Sequence, residues 1–499
     1  MHIIHIASEL APLAKVGGLG DVLLGLSREL SWKGHDVDII IPKYDCMDTS
    51  EVRDLNIIAN DVPCYYDGET YTNSIWMGWV ENLRVYFIEP HHPSHFFERG
   101  CFYGCEDDID RYLYFGRTAL EFLLSKQINP DIIHLHDWHT AAVAALYKEI
   151  FNPLGLTSAS TVFTIHNLEY QGKCAPFNLD RIGLDSTKYL TAEQMQDPLD
   201  PTLLNLVKGA IFYADFVTTV SPNYAKEVLT PEGGRGLDKF LLKYRDKFAG
   251  VLNGLDYSYW NPEIDRYLPV HYSPREVPAN KKDRNTLDKK AFVKKLFRDR
   301  EFLAGDHSPI VGCVTRLVPQ KGLEMIKHAL TYTLARGGQF ALLGSSPIMS
   351  ISDEFHALKQ QYADHPHVCL ILHHQEELAH MIFAASDMFI VPSLFEPCGL
   401  TQMIALKYGA IPIVRRTGGL ADTIFDVDNS GRPFEETNGY TFDYPDAHGI
   451  ESALERAIEC WFHNPDRWRK MMIHGMNIDF SWNQSSNRYL EIYKSLLAS

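Results

Sequence analysis

The chain predicts two doubly wound α/β domains in series, on three observations. Short continuous apolar runs, as strands covered on both faces require, alternate with helical stretches through most of the 499 residues. The alternation breaks once, after Asn253, and then begins again, so two separate sheets are expected rather than one. Several strand-to-helix junctions gather glycine with lysine, arginine or a carboxylate, where doubly wound sheets bind their ligands.

Taken in order, the first series reads as a strand over 2–7, a helix over 18–33 stopped by Gly34, and a strand over 37–41. Further strands are expected at 85–89, 132–136, 161–165, 217–220 and 250–252, with helices at 111–125 and 141–151 among them. From 260 to 284, Pro262, Pro269, Pro274 and Pro278 with few apolar runs predict a long surface loop. A basic amphipathic helix is expected over 286–302. The second series then has strands at 310–315, 340–343, 368–372, 388–391 and 411–414. The last stretch, 483–499, reads as a helix with Tyr489, Leu490, Tyr493, Leu496 and Leu497 on one face, able to cap either domain. Ligands of such sheets lie beyond the carboxyl ends of the strands, so two facing sheets are expected to form a cleft.

Composition excludes several classes. Hydrophobic residues at 45% and charged residues at 22% are ordinary globular usage, which rules out a largely disordered chain, a coiled coil or a collagen. Lys+Arg 47 against Asp+Glu 64 leaves a net charge of −17, so nucleic acid and anionic membrane are poor partners. An anionic small ligand must then be met by locally placed cations. No apolar run approaches the ~18 residues of a spanning helix, and the start of the chain lacks the pattern of a signal peptide. The nine cysteines are odd in number and scattered; Cys101 and Cys105 lie close, at a spacing that fits no common disulfide or zinc pattern. A reducing cytoplasm is the expected compartment.

The chemistry-bearing residues fall at the junctions. Lys15-Val16-Gly17-Gly18-Leu19-Gly20-Asp21 joins the first strand to the first helix, where glycine admits close approach and helix-start amides attract anions. It is neither a strict G-x-G-x-x-G nor a Walker loop. His134, His136, Asp137 and His139 end a strand; they invite a zinc reading, but no further Cys or Glu completes a shell, and polar side chains pointing at a cleft fit better. His166 and Asn167 end another strand, and Asn253-Gly254 is a turn closing the first domain. Arg316 and Lys321 open the first helix of the second series and suit a phosphate or diphosphate. Glu396 precedes the helix-start amides of Gly399, Leu400 and Thr401, which could grip an anion while the carboxylate holds sugar hydroxyls. Thr417-Gly418-Gly419-Leu420 repeats the device.

The segments K-V-G-G-L-G-D-V, H-D-W-H-T-A, H-N-L-E-Y-Q-G, L-N-G-L-D-Y, T-R-L-V-P-Q-K-G-L and E-P-C-G-L-T-Q-M together resemble the bacterial glycogen synthases and plant starch synthases of glycosyltransferase family 5. The resemblance runs in family order over nearly the whole chain. It implies a GT-B fold: an acceptor-side domain over 1–256, to which a helix over 480–499 crosses back, and a nucleotide-sugar-binding domain over 257–479. It also implies a retaining glucosyltransferase that moves glucose from ADP-glucose, or a related donor such as UDP-glucose, to the non-reducing 4-hydroxyl of an α-1,4-glucan or malto-oligosaccharide. No cofactor or metal is implied, and the compartment is cytoplasmic, or plastid stroma for a mature form.

Carried over by residue, the resemblance makes Asp137, His166, Arg316, Lys321 and Glu396 the catalytic group. Lys15, Gly17, Gly18, Asn167, Asn253, Cys398, Gly399, Leu400 and Thr401 would bind the donor, and Asp21, Tyr103 and His139 would lie on the acceptor side or in the cleft. Gly100-Cys101-Phe102 departs from the family wording around Tyr103. Leu394 stands where the family usually has arginine, and Ile404 stands where many other retaining GT-B enzymes have a second glutamate, which sets the chain with the bacterial and plant synthases rather than the animal type. Among rival classes, an oxidoreductase would want a strict dinucleotide fingerprint, a glucan phosphorylase a pyridoxal-phosphate lysine and a longer chain. A silent glucan-binding protein would leave the charged residues unexplained.

Overall fold

The computed structural model describes residues 1–274, 285–301, 303–305 and 307–498. The chain divides into two compact units, Met1–Gly254 with Trp482–Ser499, and Leu255–Ser481. Each is a doubly wound α/β fold, as the GT-B resemblance implies. No helix among the described residues is long and apolar enough to cross a membrane.

The first unit holds strands β1 (His2–Ile6), β2 (Asp36–Pro42), β3 (Val52–Tyr66), β4 (Glu69–Val80), β5 (Leu83–Pro90), β6 (Ile132–His136) and β7 (Ser160–Ile165). The two-residue strands β8 (Lys173–Cys174) and β9 (Leu204–Asn205) form a separate ladder, and β10 (Phe216–Thr219) and β11 (Phe248–Gly250) finish the main sheet. Its order is β11-β10-β7-β6-β1-β2-β5-β4-β3. All neighbours run parallel except β3 and β4, which add an antiparallel meander at the edge. Their turn is Asp67-Gly68 with φ of 52° and 84°, the paired left-handed geometry that a tight hairpin demands. Ile3, Ile4 and Ile6 of β1 and Ile132, Ile133 and Leu135 of β6 make the strands legible, and both faces are covered, so that His5, His134 and His136 within these strands are buried too.

The C-terminal helix Trp482–Leu497 belongs to this first unit. Trp482 lies against Gly25 and Gly254, where any side chain would collide with its indole. Tyr493 Oη lies 2.7 Å from His134 Nδ1, and Lys33 donates to Asn483 and Asn487 at 2.6 and 3.0 Å. The buried face is Trp482, Ser486, Tyr489, Leu490, Ile492 and Tyr493; Leu497, expected on that face, is exposed.

The second unit holds β12 (Ile310–Val314), β13 (Gln339–Leu343), β14 (Val368–Ile371), β15 (Met388–Val391), β16 (Ile411–Arg415) and β17 (Tyr440–Phe442). They form one parallel sheet in the order β14-β13-β12-β15-β16-β17.

Two expectations for the join are corrected. The Pro-rich stretch is not a surface loop in its described part: Trp260, Asp265, Leu268 and Tyr272 are buried in the second unit. Trp260 stacks on His380 with ring centroids 4.1 Å apart, and Asp265 Oδ2 bonds His380 Nδ1 at 2.7 Å and Tyr408 Oη at 2.5 Å. Pro278 and the rest of 275–284 lie outside the described residues. The helix Asn285–Arg300 turns basic residues inward. Lys290 Nζ donates to the carbonyls of Ala384, Ser386 and Tyr408 at 2.7–3.1 Å, so it closes the end of a neighbouring helix. Phe302, the expected end of this helix, is likewise undescribed.

The Asp265–His380 pair sets a stability prediction. Burial alone would lower the His380 pKa, but Asp265 and Glu376 outweigh it and the pKa is raised. Asp265→Ala strands that imidazolium and the Tyr408 hydroxyl, and is expected to cost about 3–5 kcal/mol in denaturant unfolding. Because the folded pKa is raised, this contribution is complete below pH 6.5 and fades as pH rises through the folded value.

Candidate active site

In the first unit β1 lies between β2 and β6, so the strand order reverses there and the chain ends of β1 and β6 diverge. That is the switch point at which open α/β sheets hold ligands. Asp137 follows β6 directly, with φ 58° and ψ −179°, a backbone region that only glycine enters without strain. Its carboxylate does not cap its own helix. Oδ1 instead accepts the backbone N–H of His166 at 2.7 Å, with that of Asn167 at 3.4 Å, tying the end of β6 to the end of β7. Burial raises its pKa and the nearby Glu9 charge adds to this; the two amides lower it, and the balance is about 7. Asp137→Ala keeps the strain and loses the tie, whereas Asp137→Gly relieves the strain. The glycine variant is expected to be the more stable by about 1–3 kcal/mol in urea unfolding. Equal stabilities would show a relaxed backbone.

Beside it stands a residue that the motif reading missed. Glu9 follows β1, is 3% exposed, and accepts the amides of Val16 and Gly17 at 2.9 and 3.0 Å. Tyr103 donates its hydroxyl to the other carboxylate oxygen. The expected anion-binding amides of the Gly-rich loop are thus partly taken by the chain's own carboxylate. Lys15 pairs with Asp21 at 2.9 Å, and Gly18 begins the helix, exposed. A carboxylate three residues past the end of a buried strand was the signal in the sequence.

The strand-end histidines are corrected most. His134 and His136 are fully buried rather than aimed outward. His134 Nε2 lies 2.6 Å from Thr164 Oγ1, while its Nδ1 faces Tyr493. His136 bonds His5 and His166. Burial pushes both pKa values well below 6.5. His5, His134 and His136 bring ring nitrogens within 4.8 Å of one another, a spacing a metal could use, and His139 is not among them. Hydrogen bonds already engage both nitrogens of His134. His139 packs among Tyr103, Tyr112 and Trp138, and burial lowers its pKa to about 3. Asn253 is buried with Oδ1 unpartnered among the described residues. Cys101 and Cys105, whose spacing suggested nothing, bring their Sγ atoms to 3.4 Å.

The second unit has its switch point between β12 and β15. Lys321 follows β12 and Glu396 follows β15, and Lys321 Nζ meets Glu396 Oε2 at 2.6 Å. Ser393 Oγ donates to the same oxygen at 2.7 Å, and Glu396 is 6% exposed. The loops are joined by Leu394 N to Gln320 O at 2.8 Å and Gln320 Nε2 to Phe395 O at 3.0 Å. Gly322, at φ 71°, allows this because a Cβ there would strike the Pro392 carbonyl.

The Thr417-Gly418-Gly419 turn packs behind the Glu396 loop. Gly419 N donates to Glu396 O at 3.0 Å, and a Cβ on Gly418 or Gly419 would strike the carbonyl of Glu396 or Cys398. Cys398 is buried, while Gly399, Leu400 and Thr401 are half-buried at the start of helix Thr401–Lys407. Arg316 is exposed. The cation lost at Leu394 returns from another strand: Arg415 Nη1 donates to Leu394 O at 2.6 Å.

Residues 2–243 match the family described as starch synthase catalytic domain, and 295–473 match glycosyl transferases group 1. The chain is 67% identical over 498 residues to a glycogen synthase of Protochlamydia amoebophila, covering all of both chains. It is 49% identical to a probable starch synthase 4 of Arabidopsis thaliana, over 99% of this chain and 47% of that protein. The solved catalytic domain of starch synthase IV from Arabidopsis thaliana, bound to ADP and acarbose, superposes with a TM-score of 0.95 at 49% identity, covering 100% of this chain and 99% of that one. A sucrose-phosphate synthase from Thermosynechococcus elongatus, at 18% identity and TM-score 0.61, shares the fold. With its two switch points occupied by the residues above, the chain belongs to the glycogen synthase and starch synthase family of glycosyltransferases.

Proposed function

We propose that the chain elongates an α-1,4-glucan by moving glucose from ADP-glucose to the non-reducing 4-hydroxyl, with retention of the anomeric configuration. The observation that carries this reading is the Lys321–Glu396 pair at a switch point, a cation and a carboxylate set side by side. The ADP and acarbose in the plant relative support the donor and acceptor classes.

In this reading Arg316, Lys321 and the amides of Gly399, Leu400 and Thr401 stabilise charge growing on the departing diphosphate. Glu396 holds the glucose, with Asp137, His166, Asn167 and Asn253 on the sugar and Lys15, Gly17, Gly18 and Cys398 along the donor. Asp21, Tyr103 and His139 face the acceptor side. The bond from C1 to the phosphate oxygen breaks and the bond to the acceptor O4 forms on the same face. The 4-hydroxyl proton passes to a phosphate oxygen, so no separate base is required. The first unit serves the acceptor, the second the nucleotide sugar, and the cytoplasm is the working compartment.

A donor competition assay tests this. ADP-glucose is expected to give the higher kcat/KM, and chelation by EDTA to leave the rate intact, because Lys and Arg neutralise the diphosphate. A higher kcat/KM with UDP-glucose, or a loss on EDTA that one metal restores, would overturn the respective half.

A further inference from the structure

Three imidazoles form a row through the first unit. His5 Nδ1 lies 3.0 Å from His136 Nε2, and His136 Nδ1 lies 3.0 Å from His166 Nε2. His5 and His136 are fully buried, and His166, half-buried, ends the row beside the strained Asp137. His134 is not a link: its nitrogens face Tyr493 and Thr164, while its ring stacks on His136 at 4.3 Å and lies 5.0 Å from His5, holding the planes.

Proton counting leaves two arrangements. Each neutral ring carries one N–H, and each ring-to-ring contact consumes one donor and one bare nitrogen. Either every ring donates toward His166, leaving His5 Nε2 bare and His166 Nδ1 protonated, or every ring donates toward His5 and the ends are reversed. His5 Nε2 decides between them. It is buried with no partner among the described residues. A buried N–H without an acceptor is the costlier orphan, so the bare nitrogen belongs there. The neutrality this needs agrees with burial, which holds His5 and His166 near pKa 3.

We infer that His5 and His136 are positioning residues that fix His166 as the Nδ1–H tautomer, so that it presents a hydrogen-bond donor to the bound sugar or phosphate. This rests on the assignment of His166 to the donor site. His5 touches no substrate; it acts two rings away by orienting its neighbour, as outer partners orient metal-bound histidines. His5→Asn keeps an amide donor where Nδ1 stood, and His5→Leu removes it.

Long-range 15N–1H correlation spectra of the histidine-labelled full chain, with His166 assigned by its loss in His166→Gln, test the tautomer in the unmutated protein. A protonated Nδ1 and a bare Nε2 on His166 are expected; the reverse overturns the inference whatever the activity. His5→Leu is expected to mix the His166 tautomers and lower kcat about 10-fold, the lower end for losing a partner that orients a histidine, with His5→Asn restoring both. Equal losses in the two variants with an unchanged His166 spectrum would make His5 a packing residue only. Full activity in His166→Ala would overturn the donor-site assignment separately, since the spectrum does not depend on it.

Discussion

Lys321→Ala is expected to lower kcat by about 10²–10³-fold and to weaken ADP binding, the scale of losing one group that stabilises a developing anion. Glu396→Ala should lower kcat as strongly, because a misplaced glucose is out of attack geometry. It should leave ADP binding nearly unchanged, since ADP carries no glucose. The 2.6 Å contact between the two sharpens the test. Both side chains are largely buried, so removing one strands the other, and each single variant is expected to lose about 3–5 kcal/mol of stability. The double variant strands neither and should lose less than the two losses combined. Calorimetric ADP titration of the folded variants reads the roles, and denaturant unfolding reads the coupling. If Glu396→Ala loses ADP while Lys321→Ala keeps it, the roles are exchanged.

Acidification is expected to unfold the first unit steeply once pH drops below 6.5. Burial holds His5 near pKa 3 and holds His134 and His136 well below 6.5, so the folded state refuses protons that the unfolded chain binds. A histidine with a depressed folded pKa keeps its full contribution above 6.5 and loses it as pH falls toward the folded value. His139 and His166, held near 3 by the same burial, join them, and the five rings give a slope of about 7 kcal/mol per pH unit within that window. Asp137 opposes them with one proton, since its folded pKa of about 7 exceeds its ordinary value. Urea titrations at pH 7.5, 6 and 5 measure the slope. A flat profile would mean that the rings charge within the fold.

The strands and most strand-to-helix junctions were legible in the sequence because parallel strands buried on both faces are written as short, mostly apolar runs. The local motifs at their carboxyl ends, from Lys15 to Thr401, were legible for the same reason, and their wording identified the family. The edge meander of β3 and β4 was not legible although Asp67-Gly68 marks its turn, because an edge strand as exposed as β3 carries no continuous apolar run. Strand order was not legible at all. Which strand lies beside which depends on helix packing over the whole sheet, and only that order sets Lys321 against Glu396 across 75 residues and His5 against His136 across 131. Burial was decided at the same level. The histidines of β6 read as ligands or cleft lining on a one-dimensional string. In the folded unit, a helix from the far end of the chain closes over them, and enclosure makes them neutral.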